Sequence, residues 1–206
     1  VPGDSWVANT EIYNGSSWSE VADLNTAGYY MQGTAGTSTA SITAGRRTST
    51  NTNNVESWNG SSWTEVAEIN TARRGAQSAQ PASAVSAFLI FGGYTTTPLA
   101  VTESWNGSAW TETTDMNTAK YAFGGGGAGP SDAIACGGQG PPGGNSTEIW
   151  NGSSWTEVAE MNASKIEGAS AGISTLLMYG GGNNPGATDL ETCEVYNGSS
   201  WTEVND

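Results

Sequence analysis

Histidine is absent from this 206-residue chain. Cations are scarce, with six Lys plus Arg against 20 Asp plus Glu and a net charge of −14. Without imidazole the chain loses the usual general base at neutral pH and the commonest metal ligand. Without a basic stripe it lacks the footprint of a nucleic-acid binder. The same deficit counts against an anionic membrane surface. Cysteine is rare too. Cys136 and Cys193 fall at different positions of the repeat described next, so no disulfide is expected between them. Long apolar runs are missing: Ala87–Phe91 and Leu176–Tyr179 are far shorter than the roughly 20 residues that span a bilayer as a helix. No segment holds a helical period of apolar residues. The chain opens on Val1 and shows no signal sequence, which leaves room for chain upstream.

What the chain has is a repeat. Thr147-Glu148-Ile149-Trp150-Asn151-Gly152-Ser153-Ser154-Trp155-Thr156-Glu157-Val158 recurs at Thr10–Val21, Val55–Val66, Thr102–Thr113 and Cys193–Val204. Its turn pairs are Asn14-Gly15, Asn59-Gly60, Asn106-Gly107, Asn151-Gly152 and Asn197-Gly198, at spacings of 45, 47, 45 and 46 residues. Asn-Gly between β-forming runs is the strongest short hairpin signal. A two-residue loop would pair Trp58 with Ser61, and a four-residue loop would pair Trp58 with Trp63. Both registers put the two indoles on one face, because side chains alternate along a strand. The same holds for Trp105 and Trp110 and for Trp150 and Trp155, with Trp18 and Trp201 alone in their copies. Each aromatic ring buries roughly 150–250 Å², on the order of 4–6 kcal/mol of gross stabilisation. A lone hairpin cannot cover that face, so neighbouring copies must.

A period near 46 fits a four-stranded propeller blade and exceeds the ankyrin, tetratricopeptide and leucine-rich periods. The expected architecture is one all-β domain over 1–206. Its repeats run 1–22 (partial), 23–67, 68–114, 115–159 and 160–206. Predicted inner strands are Gly28–Thr37 and Thr39–Ala44, Gly75–Gln80 and Ala84–Phe91, Gly124–Gly129 and Ala133–Cys136, then Gly168–Ile173 and Leu176–Tyr179. The first partial unit lacks both. Asn51–Asn54 reads as a polar loop. Small residues in the first strand of each unit suit a crowded centre, and the Trp hairpin suits the broad outside.

Leu89-Ile90-Phe91-Gly92-Gly93, then Glu103-Ser104-Trp105, then Trp110, resembles the kelch motif. The resemblance covers nearly the whole chain and implies a kelch-like β-propeller, here of five four-stranded blades with the first incomplete. The second unit departs from it, with Ala44-Gly45-Arg46 where the others keep Gly-Gly. The Gly-His signature of WD40 propellers is impossible without His. The phrase Thr-Glu-Ser-Trp-Asn-Gly-Ser, followed by Asn-Thr-Ala-Arg, is similar to kelch-like virion structural proteins of marine tailed phages. That similarity implies a capsid decoration or fibre domain located in the virion. Its partners would be other virion proteins or a host-surface glycan or protein, with self-assembly in a symmetric particle. The alternative is a secreted or cell-surface bacterial lectin.

No enzyme is expected, and no cofactor or metal. Copper oxidases on kelch-like propellers need His ligands. Sialidase-type propellers need an arginine cluster, whereas the only arginines here are the adjacent pairs Arg46-Arg47 and Arg73-Arg74. Glu56, Glu103, Glu148 and Glu194 recur in every full unit, as do Glu65, Glu112, Glu157 and Glu203. A glycosidase pair would stand out from the repeat instead. Capping, solvation or a bond to neighbouring backbone accounts for recurrent acids. Asn-Gly-Ser matches the glycosylation sequon in all five turns, but turn geometry alone explains those pairs. The variable connections hold the candidate binding residues: Tyr29, Tyr30, Arg73, Arg74, Lys120, Tyr121 and Lys165. They are expected at one mouth of the propeller, where aromatic and cationic side chains can grip a glycan or protein.

Overall fold

Asn59 decides the hairpin. Its side-chain Oδ1 accepts the backbone N–H groups of Ser61 at 2.9 Å and Ser62 at 3.0 Å, and the Ser61 hydroxyl at 2.9 Å. The loop is therefore the four-residue one, and Trp58 pairs with Trp63. Asn14, Asn106, Asn151 and Asn197 repeat these bonds. Only the glycine of each turn takes positive φ, between 93° and 99°. That is the conformation only glycine adopts freely.

The computed structural model describes residues 6–31, 33–79, 85–140, 144–186 and 188–204. No helix occurs among them. Hairpin β1 (Thr10–Tyr13) and β2 (Trp18–Val21) stands alone as a two-stranded sheet. Four antiparallel sheets of four strands follow, each a blade. The second blade holds β3 (Thr34–Thr37), β4 (Ala40–Arg47), β5 (Asn51–Trp58) and β6 (Trp63–Glu65). The third holds β7 (Gln77–Ala79), β8 (Phe88–Phe91), β9 (Thr102–Trp105) and β10 (Trp110–Glu112). The fourth holds β11 (Gly124–Gly129), β12 (Asp132–Cys136), β13 (Thr147–Trp150) and β14 (Trp155–Val158). The fifth holds β15 (Ala169–Ile173), β16 (Leu176–Gly180), β17 (Cys193–Tyr196) and β18 (Trp201–Val204). Every blade is a meander in chain order.

Predicted and observed inner strands overlap in every blade: Gly124–Gly129 is as predicted, while β3 starts at Thr34 rather than Gly28 and β8 at Phe88 rather than Ala84. The predicted strand ends at Gln80 and Ala84, and part of the loop after Gln139, lie outside the described residues. One reading is overturned. Asn51–Asn54 is strand, not loop, because β4 runs on through Arg47 and pairs with Asn51 across a short Thr48–Thr50 turn. Arg46 in the place of a second glycine permits that extension, and a register shift between Ala44 and Arg46 absorbs the odd residue.

The first strands of the full blades stand side by side, β3 beside β7, β7 beside β11, and β11 beside β15. Their small residues are required there. A Cβ on Gly126 would lie 2.4 Å from the Gly172 carbonyl oxygen, and one on Gly124 would lie 2.3 Å from the Tyr179 ring. Each apolar core sits between consecutive blades. Ile42, Ala44, Val55 and Ile69 meet Phe88, Ile90, Trp105 and Trp110. Leu89 and Phe91 meet Phe123, Trp150 and Trp155. Ile134, Cys136 and Met161 meet Tyr179, Tyr196 and Trp201. The outer Trp of a blade reaches back to the blade before it. Trp63 Nε1 donates to Thr10 Oγ1 at 3.0 Å, Trp155 to Thr102 Oγ1 at 3.1 Å, and Trp201 to Thr147 Oγ1 at 3.1 Å. Where that threonine is replaced by Val55, Trp110 turns to the carbonyl of Ala67 at 2.8 Å.

Candidate functional site

Four connections enter the blades through the same local structure. The residue just after each Gly-Gly position, or its equivalent in the second blade, exchanges two backbone hydrogen bonds with the connection. The pairs are Tyr29 with Arg47, Arg74 with Tyr94, Tyr121 with Gln139, and Ile166 with Asn183, all at 2.8–3.1 Å. The next residue along each connection turns into the left-handed region: Tyr30 at φ 56°, Gly75 at 62°, Ala122 at 53° and Glu167 at 59°. For the three that are not glycine this is strained backbone. Gly75 N–H donates to the Tyr30 carbonyl at 3.1 Å, and Glu167 N–H to the Ala122 carbonyl at 2.9 Å, which links blade to blade around the rim.

These four left-handed residues line one cavity of about 300 Å³, together with Arg74, Tyr94 and Tyr121. Two runs of aromatic rings stand at the rim, with Tyr30, Tyr94 and Tyr121 lining the cavity. Trp6 stacks on Tyr29 at 6.1 Å, Tyr29 meets Tyr30 at 5.1 Å, and Tyr94 meets Tyr121 at 4.7 Å. The Arg74 guanidinium fills the break between them, 5.4 Å from the Tyr30 ring and 4.6 Å from the Tyr94 ring. Its Nη1 donates to Asn51 Oδ1 at 3.3 Å. Among the described residues it has no carboxylate partner in an ion pair, and Glu167 also lines the cavity.

The seven residues marked by the sequence divide into two groups. Tyr29, Tyr30, Arg74 and Tyr121 come together at this rim. Arg73, Lys120 and Lys165 sit beside them in sequence but point inward and are buried. Arg73 donates to Glu103 at 2.7 Å and to the Val101 carbonyl at 3.0 Å. Lys165 donates to the Thr192 carbonyl at 2.6 Å and lies 3.6 Å from Glu194. Lys120 donates to the Ser146 hydroxyl and carbonyl. Burial lowers the pKa of Arg73 to about 10 against the pull of Glu103, and burial likewise lowers that of Lys120 against Glu148. Tyr94 was missed. It stands just past Gly92-Gly93, where the kelch-like pattern marks only a turn, and its ring reaches the rim through its backbone pairing with Arg74.

The recurrent acids are explained by the same connections. Glu103 accepts the N–H groups of Asn70 at 2.7 Å and Thr71 at 3.3 Å and the Asn70 side-chain amide at 2.8 Å. Glu56, Glu148 and Glu194 hold Asn25, Asn117 and Asn162 in the same way. Each is fully buried and ties the incoming connection to the third strand of its blade. Glu65, Glu112, Glu157 and Glu203 pair opposite them on the fourth strands and are exposed. Two carboxylates opposite one another repel, so the buried cation offsets the cost of the inner one. In the second blade the connection has Gly28 where the others carry Arg or Lys. Arg46, from the strand behind, supplies the charge, donating to Glu56 at 2.8 Å.

No protein-family model matches this sequence, and no curated protein matches it.

Proposed function

We propose that this chain is a non-enzymatic attachment module of the kelch-propeller type, a structural component of a phage virion that grips a host-surface saccharide at its mouth. The observation that carries the proposal is the row Trp6–Tyr29–Tyr30–Arg74–Tyr94–Tyr121, of which Tyr30, Arg74, Tyr94 and Tyr121 line the rim cavity. Aromatic faces give apolar area for the C–H faces of sugar rings, and the Arg74 donors meet hydroxyls or a carboxylate. The recurrent acids favour a binding role over catalysis, because the inner four are consumed in tying the connections to their blades.

A glycan-binding assay tests the reading. The wild-type chain should bind a subset of neutral and acidic oligosaccharides saturably, and Tyr94→Ala or Tyr121→Ala should weaken binding at least tenfold while the fold is retained. Binding untouched by either change would remove the mouth from consideration. Peptides of the chain should also band with capsid and tail proteins on a density gradient of the source material. Recovery in a soluble or cell-surface fraction, with glycan binding intact, would favour a secreted lectin instead.

A further inference from the structure

Four of the six cations are committed inside the protein. Arg46, Arg73 and Lys165 form buried ion pairs with Glu56, Glu103 and Glu194, and Lys120 is buried against the Ser146 hydroxyl and carbonyl. The other two, Arg47 and Arg74, both stand at the mouth and are half-buried. Neither has an ion-pair partner among the described residues, although the chain carries 20 Asp plus Glu. They are also neighbours. Arg47 lies directly opposite Asn51 in the β4–β5 ladder, a relation that puts two Cβ atoms about 4.5–5.5 Å apart on one face. Asn51 Oδ1 in turn accepts Arg74 Nη1 at 3.3 Å. The Arg47 Nε is buried and has no hydrogen-bond partner. Each arginine faces a tyrosine across its backbone pairing, Arg47 opposite Tyr29 and Arg74 opposite Tyr94. The next two pairings, Tyr121 with Gln139 and Ile166 with Asn183, carry no cation, and Glu167 follows the last of them. The rim is therefore cationic at the second and third blades and acidic at the fifth.

Partly burying a charge without a counter-charge is unfavourable, and in so acidic a chain one more nearby carboxylate would remove the penalty. Two such guanidiniums around a single Asn51 are a place for an anion. We infer that the saccharide taken at the mouth is an acidic one, its carboxylate or sulfate seated between Arg47 and Arg74. The inference rests on the reading of the mouth as a saccharide site. A planar guanidinium meets two oxygens of an oxyanion at once, and Arg74 is held between the rings of Tyr30 and Tyr94. The sugar then extends along Tyr94 and Tyr121, whose centroids are 4.7 Å apart. Glu167 lines the same cavity from the connection two further on. Its carboxylate repels an anion and accepts hydroxyls, which keeps the acidic group at the arginine end. The net charge of −14 opposes any anion at long range, so selectivity is decided at contact by these two side chains.

Titration of the full chain with matched saccharides tests it, at about 0.15 M salt, where the screening length is about 8 Å. Oligogalacturonate is set against its methyl ester, and a sulfated galactan oligosaccharide against its desulfated form. The members of a pair share a sugar skeleton and differ in charge. In at least one pair the acidic member should bind at least tenfold more tightly, and which pair responds tells carboxylate from sulfate. Arg47→Gln and Arg74→Gln should each cut the acidic-over-neutral ratio at least fivefold, with the fold retained by circular dichroism. Free sulfate should displace the acidic member from the wild type, a reading that needs no variant. Neutral members bound as tightly as acidic ones, with binding lost in Tyr121→Ala, overturn the inference and leave the saccharide reading standing. An acidic preference unchanged in both arginine variants overturns it too. No binding by any member overturns both.

Discussion

The indole nitrogen of Trp155 lies 3.1 Å from the hydroxyl of Thr102, 53 residues earlier and one blade back, and both are buried. That bond replaces water for a donor that could not otherwise be buried without cost. Thr102→Val should destabilise the protein by about 1–3 kcal/mol, the cost of a stranded buried donor. Urea denaturation followed by Trp fluorescence reads this directly. Thr10→Val should cost less, because Trp63 is only half-buried.

Glu103 and Arg73 are a buried pair whose members also satisfy backbone groups. Glu103→Gln leaves a buried guanidinium without its counter-charge and should cost about 3–5 kcal/mol. Adding Arg73→Met removes the orphaned charge and should recover part of that loss. A double variant no more stable than Glu103→Gln alone would show that the backbone bonds to Asn70 and Thr71 dominate.

Gly28 and Arg46 have exchanged roles relative to Arg73 and Gly93. A Cβ on Gly28 would fall 2.8 Å from Arg46 Cδ. Gly28→Arg alone should therefore destabilise by about 1–3 kcal/mol through overpacking. Combined with Arg46→Gly it recreates the arrangement of the third blade, and stability should return to near the wild-type value in the same denaturation assay.

Burial raises the Cys136 thiol to about 12 from an ordinary 9.0. Its folded-state pKa lies above the unfolded one, so its contribution is fully present below pH 9 and is lost as pH rises toward 12. Across that window the wild type should lose about 1.4 kcal/mol per pH unit relative to Cys136→Ala. In the native protein at pH 8, a thiol reagent should label half-buried Cys193 and spare Cys136.

The architecture was legible because one twelve-residue phrase carried it. Asn59-Gly60 marked a hairpin, and alternation put Trp58 and Trp63 on one face whichever loop closed it. The loop itself was not readable, because it depends on Asn59 Oδ1 choosing the N–H groups of Ser61 and Ser62. Burial of the cations was also hidden. Arg73 and Arg74 are adjacent and alike in sequence, and only the strand-like reversal between them sends one to Glu103 and the other to Tyr94. Arg46 stood out as a missing glycine, but its link to Gly28 crosses 18 residues of chain and is a matter of shared space. Tyr94 shows the same limit, since its partner Arg74 is set by backbone pairing between the incoming connection and the residue after β8.

The repeated clasp at the rim is made of main-chain bonds, and this has an evolutionary corollary. The paired position that reads Tyr29, Arg74, Tyr121 and Ile166 in successive blades keeps the same two bonds with three different kinds of side chain. Substitution there leaves the clasp unchanged. A lineage could thus rewrite its ligand preference residue by residue, at the one surface where novelty carries little folding penalty.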